Sequence, residues 1–120
     1  MTRDEVHALL MSFPGAESAV SYGYPSYKVR GKFFTWFWPD APDCLVVQLD
    51  SLDQRDMLAE AEPETFVVTA HHRPHAIVLA RIDRVEVDWL RSALTRRWRK
   101  IAPATLRTAH SALTAEEPGA

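Results

Sequence analysis

A chain of 120 residues, 47% hydrophobic and 25% charged, has the composition of one globular domain around one core, which excludes the fibrous and disordered classes. Its formal net charge of −2, from 14 basic and 16 acidic side chains, excludes a nucleic-acid binder that works by overall charge. The single cysteine, Cys44, permits neither an internal disulfide nor a cysteine zinc cage within one chain.

The N-terminus, Met1-Thr2-Arg3-Asp4-Glu5, has no signal-peptide core, and no apolar run approaches the length of a membrane span, so a cytoplasmic protein without membrane contact is expected. A first helix is predicted from residue 2 or 3 to residue 12. Thr2 and Glu5 have capping-box spacing, and Val6, Leu9, Leu10 and Phe13 form an apolar stripe. Pro14-Gly15 ends it. Tyr24, preceding Pro25, is biased to extended backbone and leads into a strand near residues 26–29. Arg30-Gly31 reads as a two-residue hairpin turn, with Gly31 supplying the positive φ, and the next strand is predicted over residues 32–38.

Pro39-Asp40-Ala41-Pro42-Asp43 reads as a loop, and residues 44–49 as a short Val-rich strand in which Cys44 is a buried thiol. Ser51 is a cap for a helix over residues 52–62, with Gln54 at the capping-box position and Pro63 as the stop. Residues 66–69 and 76–82 form a second predicted hairpin around His71-His72-Arg73-Pro74-His75. The last long helix is predicted over residues 87–101, with Leu90, Leu94, Trp98 and Ile101 on one side, and Ala102-Pro103 ends it. Residues 1–103 form the domain; residues 104–120 read as a weakly helical tail, frayed at Glu116-Glu117-Pro118-Gly119.

The order α-β(3)-α-β(2)-α joins consecutive strands by short connections. It predicts a two-layer α+β domain, an antiparallel sheet of about five strands with helices on one face.

The stretch Phe13-Pro14-Gly15-Ala16-Glu17, continued by Ser21-Tyr22-Gly23-Tyr24-Pro25-Ser26-Tyr27-Lys28-Val29-Arg30-Gly31-Lys32-Phe33-Phe34, resembles the opening signature of the MmcQ/YjbR family. Leu58, Pro63 and Phe66, and Trp89-Leu90 with Trp98-Arg99-Lys100-Ile101-Ala102-Pro103, extend the resemblance over residues 6–102. It implies a small bacterial DNA-binding domain with a fold similar to that of type III secretion chaperones and loosely comparable to frataxin-like domains. The chain departs from the family at His75-Ala76, where members often carry an aromatic residue.

Charge is unevenly distributed. Eight acidic residues lie between Asp40 and Glu64 against Arg55 alone, while seven basic residues lie between Arg84 and Arg107 against Glu86 and Asp88. Lys28, Arg30 and Lys32 cluster at the hairpin, where they either meet phosphates or solvate an exposed turn. The neighbouring rings Tyr27, Phe34 and Trp36 are expected to share one face and fill the core, with stacking on bases as the rival use. Arg96, Arg99 and Lys100 fall away from the apolar stripe of the last helix, with Arg97 flanking it. They either follow a phosphate backbone or complement the helix dipole.

His71, His72 and His75 have no neighbouring cysteines and surround Pro74, which disfavours helical ligand spacing, so their rings are not expected to converge and they are read as loop residues rather than a metal site. The acidic strip Asp50, Asp53, Asp56, Glu60 and Glu64 is read as solvated surface. The frataxin likeness alone implies weak cation binding there. No nucleophile elbow, phosphate loop, dinucleotide fingerprint or zinc-protease motif is present, so a non-enzyme without cofactor is expected. The leading expectation is double-stranded DNA held at its phosphates by Lys28, Arg30, Lys32, Arg96, Arg97, Arg99 and Lys100, with the acids facing elsewhere. The alternative is a protein partner held by exposed aromatics.

Overall fold

In the computed structural model, which describes residues 1–114, helix α1 (Arg3–Met11) starts at the predicted cap. Thr2 Oγ1 accepts from the Glu5 amide at 3.1 Å and Glu5 Oε1 accepts from the Thr2 amide at 2.9 Å. The helix buries Val6 and Leu10.

After Pro14 the chain enters a strand that its sequence does not announce, β1 (Ala16–Ser21). Its Ala and Ser residues have little preference for extended backbone. What holds it is antiparallel pairing along its full length with β2 (Tyr24–Val29), at the edge of the sheet. The connection from β2 to β3 (Lys32–Thr35) is the predicted tight turn: Arg30 and Gly31 both have positive φ, 49° and 84°, which matches the right-handed twist of the flanking strands.

The predicted single strand over residues 32–38 is in fact two pieces, β3 and β4 (Phe37–Trp38), interrupted at Trp36. The β2–β3 register shifts between Tyr27 and Lys28, so Lys28 pairs with Phe33 but Tyr27 pairs with Thr35. Phe34 is the extra residue, and one extra residue reverses the facing of every side chain that follows. Phe34 and Phe37 therefore both point into the core, 1% and 8% exposed, whereas Trp36 and Trp38 lie on the opposite side. The expectation that Tyr27, Phe34 and Trp36 share a face fails for Trp36 on this account.

Strand β5 (Ala41–Gln48) begins inside the stretch expected to be a loop, because Ala41 pairs with Trp38 around a tight turn at Pro39 and Asp40. Helix α2 (Leu52–Ala61) follows, with Ser51 Oγ accepting from the Gln54 amide at 3.1 Å. Strands β6 (Phe66–Val67) and β7 (Ile77–Arg81) pair as the second expected hairpin, and α3 (Val87–Ile101) has the predicted bounds.

Seven strands among the described residues thus replace the expected five, in two antiparallel sheets ordered β1-β2-β3 and β4-β5-β7-β6. The sheets join at Trp36: its carbonyl accepts from the Val46 amide at 3.0 Å, and Thr35 Oγ1 donates to the Val46 carbonyl at 2.6 Å. Short helices α4 (Ala104–Ala109) and α5 (Ser111–Thr114) follow α3, and Leu106 of α4 enters the main core. The fraying expected at residues 116–119 lies outside the described residues.

Alternation along β5 divides the interior. Leu45 and Val47 join Val6, Leu10, Leu90, Leu94 and Trp98 in the main core. Cys44 and Val46 face the other way and meet Leu79, Trp36 and Trp38 in a second cluster to which none of the described helical residues contributes.

Candidate nucleic-acid interface

The hairpin turn projects Arg30 and Lys32 into solvent and leaves Lys28 half-buried. It does not carry cations alone. Glu17 is the cross-strand partner of Lys28, and its Oε1 accepts from the Gly31 amide at 2.9 Å, so a carboxylate braces the turn. The Arg30 amide donates to the Gly15 carbonyl at 3.2 Å, and the Arg30 side chain passes over Gly15. Gly15 has φ +74°, and a Cβ there would lie 2.7 Å from Leu106 Cδ2 and 3.1 Å from Arg30 Nε. Only glycine lets the hairpin, the α1 terminus and α4 approach so closely.

Helix α3 is fixed beside this hairpin. Arg97 Nη2 donates to the Phe33 carbonyl at 2.8 Å and its Nε to the Phe34 carbonyl at 3.4 Å, while Trp98 Nε1 donates to the Pro14 carbonyl at 2.8 Å. Partial burial pulls the Arg97 guanidinium below its usual pKa. Its role in the fold is to tie α3 to β3. Arg96 and Lys100 converge on Asp50, at 3.4 and 2.8 Å. The Lys100 hydrogen bond lowers the Asp50 pKa; burial opposes it, and the fields of Lys100 and Arg96 add to the lowering. Arg99 is half-buried on the same helix.

The structure therefore brings the two remote basic groups onto adjoining elements. It does not segregate the acids as the sequence suggested: Asp50 sits between Arg96 and Lys100, and Glu64 pairs with Arg84 at 3.4 Å. Among the described residues, no three His, Cys, Asp or Glu side chains gather as a metal site, and no helix is long and apolar enough to cross a membrane.

A second feature lies on the face that the register shift creates. Trp36 has Tyr22, Tyr24, Phe33 and Trp38 around it at ring-centroid distances of 6.2, 6.3, 5.9 and 5.9 Å. Trp38 continues the band to His71 and His72, at 5.2 and 4.5 Å. All of these rings but Tyr24 line an open groove of about 540 Å³ between the β1–β2 turn and the histidine loop, with Lys28 and Gln48 in its wall. The loop is held from below: buried Arg55 of α2 donates to the Arg73 and His75 carbonyls and pairs with Asp56. Two of the three histidines thus do meet, with rings 4.9 Å apart.

His72 is buried and its Nδ1 lies 2.7 Å from Thr69 Oγ1. Burial, then the neighbouring His71 and His75, lower its pKa from the ordinary 6.5. The unfolded chain accordingly binds the proton more readily, and this site's stabilisation is complete above pH 6.5 and lost as pH falls through the lower folded value. Denaturant melts at pH 7.5 and 5.5 are expected to show lower stability at the acid value, with a shallower dependence in His72→Asn. Identical pH dependence in the variant would assign the effect elsewhere.

The groove escaped the sequence reading because residues 33–38, Phe-Phe-Thr-Trp-Phe-Trp, carry rings on both faces whatever the register; the extra residue leaves no mark in composition. Fold and surfaces together define a small α+β domain with a basic hairpin beside a cationic helix and an aromatic groove on the other side of the core sheet. Residues 11–100 match the YjbR family model, and the chain belongs to the YjbR family. No curated protein and no solved structure matches it.

Proposed function

We propose that this YjbR-family protein is a non-enzymatic, cytoplasmic DNA-binding domain that contacts the phosphate backbone through Lys28, Arg30 and Lys32, with Arg96, Arg99 and Lys100 alongside. The observation that carries the reading is the pair of Arg97 bonds to the Phe33 and Phe34 carbonyls, which hold the cationic end of α3 against the hairpin strand. Arg97 then positions the surface rather than contacting DNA. Asp50 screens two of the helical cations, so the hairpin dominates and binding is weak and strongly dependent on salt.

Duplex binding at two salt concentrations tests this. Reversing Arg30 and Lys32 to Glu is expected to weaken binding at least tenfold at low salt and to flatten the salt slope by about one unit for each phosphate that the variant no longer neutralises. Asp50→Asn, which frees Arg96 and Lys100, is expected to tighten it. The reading fails if no complex forms at low salt or if the charge reversal leaves affinity unchanged.

A protein-interaction or chaperone-like role is the second reading, favoured by the half-exposed Trp36 and Trp38 in the groove. Its sign is a partner whose binding survives the hairpin reversal.

A further inference from the structure

The chain carries 16 acidic side chains, yet none of those among the described residues lines the aromatic groove; its charged and titratable wall is Lys28 with Tyr22, His71, His72 and His75. Glu17, beside Lys28 on β1, is engaged with the Gly31 amide and is not in the lining, so the wall itself favours an anionic partner. The rings around Trp36 are inclined to it by 53°, 78°, 85° and 74°, tilted or edge-to-face rather than stacked in parallel, and all but Tyr24 border the open groove. The floor is the face of β5 and β7, whose backbone groups are spent on each other, so an extended peptide finds no strand edge to pair with there. The walls are built in advance: Trp36 and Trp38 stand on the sheet junction, and Arg55 fixes the histidine loop.

We infer that this groove binds a segment of single-stranded nucleic acid, with unpaired bases laid on Tyr22, Phe33, Trp36 and Trp38 and the adjoining phosphates drawn to Lys28. Duplex bases are closed to such rings, and unpaired ones offer a flat face in any sequence. The inference rests on the nucleic-acid reading above and moves the specific contact from the hairpin tip to the groove, with Lys28 common to both. Gln48 in the same wall supplies an amide for a base edge.

The test uses the full chain, a labelled oligo(dT), the matched duplex, thymidine monophosphate and an acidic, aromatic-containing peptide. Tyr22 is 92% exposed, so Tyr22→Ala perturbs the groove without disturbing the fold, and Trp36→Leu removes the central ring. The single strand is expected to quench tryptophan fluorescence, with Tyr22→Ala weakening it about fivefold and Trp36→Leu tenfold or more. Single-strand affinity unchanged in Tyr22→Ala overturns the inference, a result that also covers any misfolding of Trp36→Leu. Equal affinity for the monophosphate overturns it in favour of a nucleotide pocket, and binding of the peptide alone overturns it in favour of a protein partner. Duplex binding lost on hairpin reversal but indifferent to the groove variants leaves the proposed function standing without this inference. Groove-dependent single-strand binding with no duplex complex does the reverse.

Discussion

Trp98→Ala is expected to lower the free energy of unfolding by about 3–5 kcal/mol, most of the stability of a marginal domain. Trp98 is fully buried in the main core, so truncation opens a cavity the size of an indole among Val6, Leu90 and Leu94. It also removes the donor to the Pro14 carbonyl, at the bend between α1 and β1. Trp98→Phe keeps most of the volume and is expected to cost less, combining the lost hydrogen bond, worth about 1 kcal/mol, with a smaller cavity. Urea denaturation followed by circular dichroism measures both. If the alanine variant costs no more than the phenylalanine one, Trp98 is not the keystone this packing describes.

Arg55→Ala is the second large effect, expected at about 2–4 kcal/mol. Arg55 is 7% exposed and donates to the carbonyls of Arg73 and His75; its removal takes away the donor to the Arg73 carbonyl, while the His75 carbonyl keeps the Ile77 amide at 2.8 Å. The Asp56 contact contributes little to that figure, because Asp56 is largely exposed and water replaces the guanidinium. Loss of Arg55 also frees the histidine loop that walls the groove. Amide exchange over residues 71–75 is therefore expected to quicken before global unfolding, and single-strand affinity to fall with it. Exchange that rises uniformly across the chain would mean Arg55 acts on the whole core rather than on the loop.

What the sequence made legible follows the strength of its local signals. Thr2 with Glu5, Ser51, Arg30-Gly31 and the Leu90-Leu94-Trp98-Ile101 stripe each have one dominant local meaning, and the elements they mark stand where expected. Strand β1 was hidden because Ala-Glu-Ser-Ala-Val-Ser has no intrinsic preference for a sheet; β2 imposes it. The candidate basic residues were all identifiable, but their partners were not. Asp50 lies 46 and 50 positions from Arg96 and Lys100, and no spacing rule links carboxylate to cation over that distance. Arg97 read as a surface cation because its stem flanks the apolar stripe, whereas the open carbonyls of β3 that claim it exist only in the folded chain.

Phe34, the extra residue of β3 in its ladder with β2, decides which rings reach each side of the sheet. Delete one position there and the period-two pleat is expected to turn the tryptophans inward and Phe37 outward, with the ring content unchanged. In this chain, segment length rather than ring count decides which rings face the groove.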